Sequence, residues 1–341
     1  MLNVAILGCG AITQKRHAPA IKGFPGACLY GVYDVDEKRG NDLAEQYGTR
    51  FFNDLESLLG DSAIDAVSIC VPEYFHCKLA EQTFAAGKHV LLEKPMAMNA
   101  AEGRRIISAW EKSGKQLAMA FSQRCYPEHR LAKKLMAEEA VGKVLSYRTI
   151  LANSGVEYSV VKQDMTGFYD RNLKNIGGVM LNVGCHRVDL MRYLFDTEFD
   201  KVFAFTPTMD KRFANGSLID REDSAMITAK MKNGITGTMW SSWCNYGPTR
   251  VETEIFCSRG VILVFPDRVE LLRSGSAPEQ LIIKEEDKDP NGLLIVRAFL
   301  DTLINGAAPV TTGMDGLKCM KVLEAVGESH KKGRWVTLKN V

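Results

Sequence analysis

The first 121 residues repeat one grammar: a short, continuously apolar run, a turn or a charge, then a stretch with helical spacing. The apolar runs are Leu2–Leu7, Cys28–Tyr33, Ile64–Val71, Val90–Leu92 and QLAMAF at 116–121. Between them lie helix-patterned stretches at 11–22, 37–47, 74–87 and 99–113, the last with Asn99 as its cap. A strand with one wet face alternates apolar and polar residues, whereas a strand apolar throughout is buried on both faces. Continuous runs alternating with helices therefore predict a parallel sheet covered on each face, the doubly wound α/β architecture.

After Phe121 the pattern changes. A helix from Pro127 to Glu139 leads to a strand at Val144–Ala152, a long loop and a second helix at about 178–195. Short alternating runs follow (DSAMITAKM, ITGTMWSSW, RVETEIFC, GVILVFP, RVELL), the first two joined by Lys232-Asn233-Gly234. Asn-Gly is the strongest short hairpin signal. This half reads as an α+β domain with a large, open, mostly antiparallel sheet and helices on one face. Two helices near 293–303 and 316–330 and a strand near 335–338 close it. The expected domains are 1–121 and 122–341.

Forty-three basic residues against 41 acidic leave a net charge of +2, which gives no electrostatic reason to expect nucleic acid or an anionic membrane as partner. Nine scattered cysteines contain no C-x-x-C pair. That spacing argues against a zinc knuckle, so no metal is expected, and it suits free thiols in a reducing compartment. The stretch before the first glycines is too short for a signal peptide, and no apolar run approaches about 18 residues. The expectation is a soluble, cytoplasmic protein.

Chemistry enters at two strand ends. Gly8-Cys9-Gly10-Ala11-Ile12-Thr13 follows the first strand and opens a helix, the context of a dinucleotide fingerprint. Glycines at 8 and 10 permit the tight turn and let a pyrophosphate approach the N–H groups of the helix start, near Ala11 and Ile12. The third position is Thr13 rather than Gly or Ala. Asp34 ends the second strand, at roughly the 20-residue offset of the acid that binds the adenosine ribose. Its carboxylate would repel a 2′-phosphate, which favours NAD over NADP; Lys38 and Arg39 nearby oppose that preference. Asp34 read alone is equally a helix cap. Further on, HVLLEKPMA at 89–97 runs from a buried strand into Glu93, Lys94 and Pro95. A lysine between an acid and a proline has a restricted backbone.

With ILGCGAITQKRH, VSICVPEYFH, AAGKHVLLEKPMA and GGVMLNVGCHRVDLMRYL in order, the chain resembles the glucose–fructose oxidoreductase / inositol dehydrogenase / MocA family over nearly its whole length. The resemblance implies an N-terminal Rossmann domain, a C-terminal domain on an open sheet, and an oxidoreductase that moves a hydride between a nicotinamide cofactor and a carbinol or ketone of a sugar, inositol or related polyol. It implies that Lys94 lies beside the nicotinamide and the reacting hydroxyl, and that Pro95 follows a cis bond. Val71, Pro72, His76, Glu93 and Gln123 stand where relatives line the cofactor, although Glu73 replaces a usual asparagine. Arg124 and Tyr169 join Lys94, Asn182 and His186 as candidate substrate contacts; Tyr158, Lys162, Arg171 and Asn172 share the long loop with Tyr169.

On a helix, Asn182, His186 and Asp189 share one face at i, i+4 and i+7. A histidine suits proton transfer from a hydroxyl near neutral pH, and the resemblance gives His186 that role. Many relatives carry aspartate at 182; the asparagine here cannot take a proton, which removes a Lys–Asp relay and puts the weight on His186. The family also implies self-association through the C-terminal sheet, as dimer or tetramer. Two other functions stay open on sequence: an NAD-retaining glycoside hydrolase, and a non-catalytic dinucleotide-binding regulator, against which the presence of Lys94 and His186 argues.

Overall fold

The computed structural model describes residues 1–160, 177–289 and 291–338. Within it the chain divides into two compact units, Met1–Cys125 with Asp289–Met320, and Tyr126–Lys288 with Lys321–Val341.

The first unit is built on strands β1 (Leu2–Leu7), β2 (Ala27–Tyr33), β3 (Arg50–Phe51), β4 (Ala66–Ile69), β5 (His89–Leu92) and β6 (Leu117–Met119), in the order β3-β2-β1-β4-β5-β6. All its pairings are parallel. Residues 4–7, 66–69 and 90–92 are each at most 1% exposed, as strands buried on both faces must be. The register pairs Leu7 with Tyr33 and Ile69, and Ile69 with Leu92, so Gly8, Asp34, Cys70 and Glu93 all leave the sheet at one edge. In this strand order ligands bind at that edge, where the chain reverses between β1 and β4. The edge strand β3 has no counterpart among the sequence-predicted runs; two residues are too few to make a pattern.

Beyond the boundary expected near residue 121, the segment Asp289–Met320 groups with the first unit. Helix Leu293–Asn305 buries Ile295, Val296, Phe299 and Leu300 in the core that holds Ala18, Ile21 and Val32. Asp289 caps it, accepting from the N–H groups of Leu293 and Leu294 at 2.7 and 2.9 Å. Thr311 continues the attachment by donating to the carbonyl of Met119 at 2.6 Å. A local periodicity shows a helix but not which core covers it.

The second unit carries β7 (Val144–Ala152), β8 (Phe199–Phe205), β9 (Ser224–Met231), β10 (Thr236–Ser242), β11 (Arg250–Cys257), β12 (Gly260–Phe265), β13 (Arg268–Leu272), β14 (Glu279–Ile282) and β15 (Val336–Thr337). Their order is β14-β13-β12-β11-β7-β10-β9-β8-β15, antiparallel except for β10 beside β7. Gly234, at φ +92°, closes the β9–β10 hairpin. Alternate residues are buried, among them Ala225, Ile227, Ala229 and Met239, while Phe203, Phe205 and Met226 are exposed. Helices Pro127–Ala137 and Cys185–Phe195 pack on this sheet, and the rings of Phe195 and Tyr147 lie 5.1 Å apart.

Candidate active site

Gly8 has φ +92°, and a Cβ there would stand 2.5 Å from the carbonyl oxygen of Cys70. Close approach of β1 and β4 therefore requires glycine. At Gly10 a Cβ would meet nothing within 4 Å, so the space over the helix start is open to an incoming pyrophosphate. Ala11 and Ile12 open that helix, which is π-helical over Thr13–His17 and α-helical over Ala18–Lys22. Thr13 is fully buried, and its hydroxyl donates to the Gly8 carbonyl at 2.5 Å. The departure from glycine thus braces the turn from below instead of crowding the phosphate side.

Asp34 is buried at the end of β2. It accepts from the N–H of Cys9 at 2.7 Å and of Asp36 at 2.9 Å, and Arg39 grips both of its oxygens at 2.9 and 3.1 Å. Burial pushes its carboxyl up, but Arg39 and the two N–H groups outweigh that and hold it below the usual range. The helix cap is Asp36, not Asp34. An open glycine turn at a helix start, with an ionised carboxylate at the neighbouring strand end, fits an adenine dinucleotide.

At the end of β5, Lys94 is half-buried and precedes a cis peptide bond to Pro95. Glu93 is directed inward. One oxygen accepts from Arg16 Nη1 at 3.0 Å and faces His17 Nε2 at 2.9 Å; the other accepts from the N–H of Lys94 at 3.1 Å. The cations hold Glu93 far below the ordinary carboxylate range, although burial opposes them. His17 is fully buried; burial disfavours its charge, but Cys70 and Glu93 outweigh this and raise it to about 9.

Sequence reasoning gave His17 and Arg16 no chemistry, because a lone buried histidine in a helix reads as packing. His76 is also buried, with Nδ1 2.8 Å from the Pro95 carbonyl and Nε2 2.9 Å from that of Val71. Burial pushes it below the usual imidazole range, against the opposing pull of the Pro95 and Val71 carbonyls. Its ring is thus engaged by main chain beside Pro72, where the sequence suggested a cofactor contact. Gln123 and Arg124 are buried in the turn Ser122–Cys125. Arg124 donates to the Val310 carbonyl at 3.1 Å and to Asp315 at 2.8 Å. These two bonds tie the returning segment to the turn within the same unit.

In the second unit, Asn182 and His186 lie on the helix expected at about 178–195. It is π-helical over Met180–Gly184 and α-helical over Cys185–Phe195. The wider turn changes the angular step between 182 and 186 from the regular α spacing. Both residues are half-buried on a helix whose residues 187–192 are all buried, so both reach accessible space. Asp189 accepts from Arg192 at 3.4 Å, and Arg192 also grips Glu198 at 2.7 and 3.0 Å. Glu222, which the sequence did not single out, closes on the helix start. It accepts from the N–H of Met180 at 3.2 Å, and a Cβ on Gly178 would lie 2.2 Å from its carboxylate. Burial pushes Glu222 up. The signal for it was the glycine pair itself, which marks a close approach without naming the partner. Tyr169, with Lys162, Arg171 and Asn172, lies outside the described residues.

Residues 2–121 match the family model described as oxidoreductase family, NAD-binding Rossmann fold, and residues 129–263 match the GFO/IDH/MocA C-terminal domain. Myo-inositol 2-dehydrogenase of Thermotoga maritima is 26% identical over all of this chain and 99% of its own length. Inositol 2-dehydrogenase of Rubrobacter xylanophilus is 27% identical over 97% of this chain and 92% of its own. Among solved structures, GenD2 from gentamicin A biosynthesis in complex with NAD superposes with a TM-score of 0.84 at 25% identity, covering 99% of this chain and 97% of that one. Matched in both halves by the models of one family, the chain belongs to the GFO/IDH/MocA oxidoreductases.

Proposed function

We propose that the protein is an NAD-dependent dehydrogenase that interconverts a carbinol and a ketone on a sugar, an inositol or a related polyol. The observation that carries the reading is that the open Gly8–Gly10 turn, the ionised Asp34 and Lys94 all follow strands ending at one sheet edge. Relatives named for inositol oxidation and a neighbour solved with NAD support the substrate class and the cofactor.

NAD, when bound, supplies the hydride acceptor for oxidation. Lys94 donates a hydrogen bond to the carbinol oxygen and stabilises the charge that develops there. His186 takes the hydroxyl proton, and Asn182 holds the substrate by hydrogen bonds without titrating. Asp34 accepts from the adenosine ribose hydroxyls and disfavours a 2′-phosphate, so NAD is preferred to NADP. The exposed apolar face of β8–β10 supports a homodimer or homotetramer, and scattered thiols support a reducing, cytoplasmic setting. Screening sugars, inositols and sugar phosphates for NADH formation tests the reading. Substrate loss with no net NADH would point to redox-neutral hydrolysis, and failure to bind NAD would end the proposal.

A further inference from the structure

Lys94 is the residue whose position matters most to that reading, and its main chain is fixed from several sides. The N–H of Glu93 donates to the Ile69 carbonyl on β4 at 3.1 Å. The Glu93 side chain turns back and accepts from the N–H of Lys94, while Arg16 and His17 hold its other oxygen. His17 is itself fixed, its Nδ1 lying 2.7 Å from the Ser68 hydroxyl. Arg16 is fixed too: its Nε donates to the Asn291 carbonyl at 2.8 Å, and a Cβ on Gly292 would stand 2.8 Å from its guanidinium. On the far side of the turn the Pro95 carbonyl meets His76 at 2.8 Å.

Stability alone is a weak reason for such a cluster. A buried carboxylate with two cations loses several kcal/mol per ion in hydration, and apolar replacements of equal volume are often as stable. What the ions provide and apolar groups would not is direction. A carboxylate anchored at one oxygen presents the other to a single N–H, and that N–H belongs to Lys94.

We propose that Glu93 is a positioning residue: clamped by Arg16 and His17, it fixes the main chain at Lys94 and so aims the ammonium at the reacting oxygen. The sequence placed Glu93 against the cofactor; the clamp gives it a different task. The inference rests on Lys94 being the group that faces that oxygen. Misplacement of a reacting group by about 1 Å costs about 100-fold in rate, so a turn released by between about half and the whole of that should cost about 10- to 100-fold.

Glu93→Gln tests this. On a substrate that the wild type oxidises, kcat should fall about 10- to 100-fold, while NAD binding followed by fluorescence stays within about threefold. In a Lys94→Met background the same substitution should add no further loss, because a residue acting through Lys94 has nothing left to position. A second readout needs neither cofactor nor turnover. Reductive ¹³C-methylation labels the lysines, and Lys94 is assigned by the signal missing from Lys94→Arg. Its resonance should stand apart from the bulk in the wild type and merge with it in Glu93→Gln. Where Glu93→Gln does not fold, His17→Gln, which keeps a donor but loses the charge, carries the same comparisons. Equal losses in both backgrounds, an NAD affinity that falls in step with kcat, or an unmoved Lys94 resonance would each overturn the clamp. If the wild type oxidises no carbinol, the functional reading fails, and the resonance still decides whether Glu93 orders Lys94.

Discussion

His17 and Glu93, 76 residues apart in sequence, meet at 2.9 Å with neither more than 5% exposed. One comes from the helix after the glycine turn and the other from the end of β5. The contact joins the two segments that carry the fingerprint and the lysine.

This pair should be visible in the pH dependence of folding. His17 is raised from 6.5 to about 9, so its contribution is complete below about pH 6.5 and lost as pH rises through about 9. Glu93 is depressed from 4.5, so its contribution is present above about pH 4.5 and lost on acidification. Thermal melting should therefore peak at about pH 5 to 6.5. On the alkaline side His17, raised by Cys70 and Glu93 together, contributes about 3 kcal/mol. Melting curves of His17→Gln should lose the alkaline decline; a variant as pH-sensitive as the wild type there would assign the titration to other groups.

The carboxylate of Asp34 already has four donors, two of them from Arg39. Ribose hydroxyls can bond it only if Arg39 yields, and Arg39, 44% exposed in its side chain, is free to move toward a 2′-phosphate. We expect the wild type to bind NAD at least about tenfold tighter than NADP, a gap of about 1.4 kcal/mol. Arg39→Met should widen the gap and Asp34→Asn narrow it. Titration of both reduced cofactors decides; NADP binding equal to or tighter than NAD by the wild type would refute the preference.

How much of this was legible in the sequence depends on the range of the interactions. β1, β4, β5 and β6 were readable because burial on both faces leaves a local, continuous apolar signature, and β2, half-buried at 27, 28, 30 and 33, because its run is still apolar. Asn99 was readable as a cap because its acceptor reaches only to the N–H of Glu102. Arg16, His17 and Glu93 were not, since a buried charge is recognised by its partner and here the partner is distant in sequence. The attachment of 289–320 to the first core was not legible for the same reason. The π-helical turns at Thr13–His17 and Met180–Gly184 also escaped, because one extra residue in a turn barely alters an apolar periodicity.

The outer face of the second sheet should mediate self-association. Phe205 pairs in register with Met226 and Met226 with Trp240 across β8, β9 and β10. Phe205 and Met226 are 53% and 41% exposed, and contiguous apolar patches of this kind mark interaction surfaces. Light scattering should give a dimer or tetramer at micromolar concentration. Met226→Glu should lower the assembly order with an unchanged circular dichroism spectrum; a monomeric wild type would remove the proposal.

Lys94→Met should leave the fold and NAD affinity largely intact and abolish most turnover. Loss of one donor to a developing oxyanion costs about 3 to 4 kcal/mol, a rate loss of about 100- to 1,000-fold. KM for the polyol should change far less than kcat, because the hydrogen bond strengthens as charge develops. A kcat near the wild-type value would exclude Lys94 from the chemistry.

His186 should be the proton acceptor in the oxidative direction. It and Asn182 are half-buried on a helix whose residues 187–192 are all buried, and of the two only the histidine can hold the proton. His186→Asn should therefore lower kcat by about 10²- to 10⁴-fold, the usual cost of a lost general base. It should also flatten the acidic limb of the pH–rate profile, since the amide at 182 supplies no second titration. Asn182→Asp provides the complementary test. A carboxylate one turn away favours the imidazolium, so the acidic limb should move to higher pH. A profile that keeps its acidic limb in His186→Asn would place the base elsewhere. Glu222, which burial pushes up and which closes on the same helix start, would be the first residue to replace next.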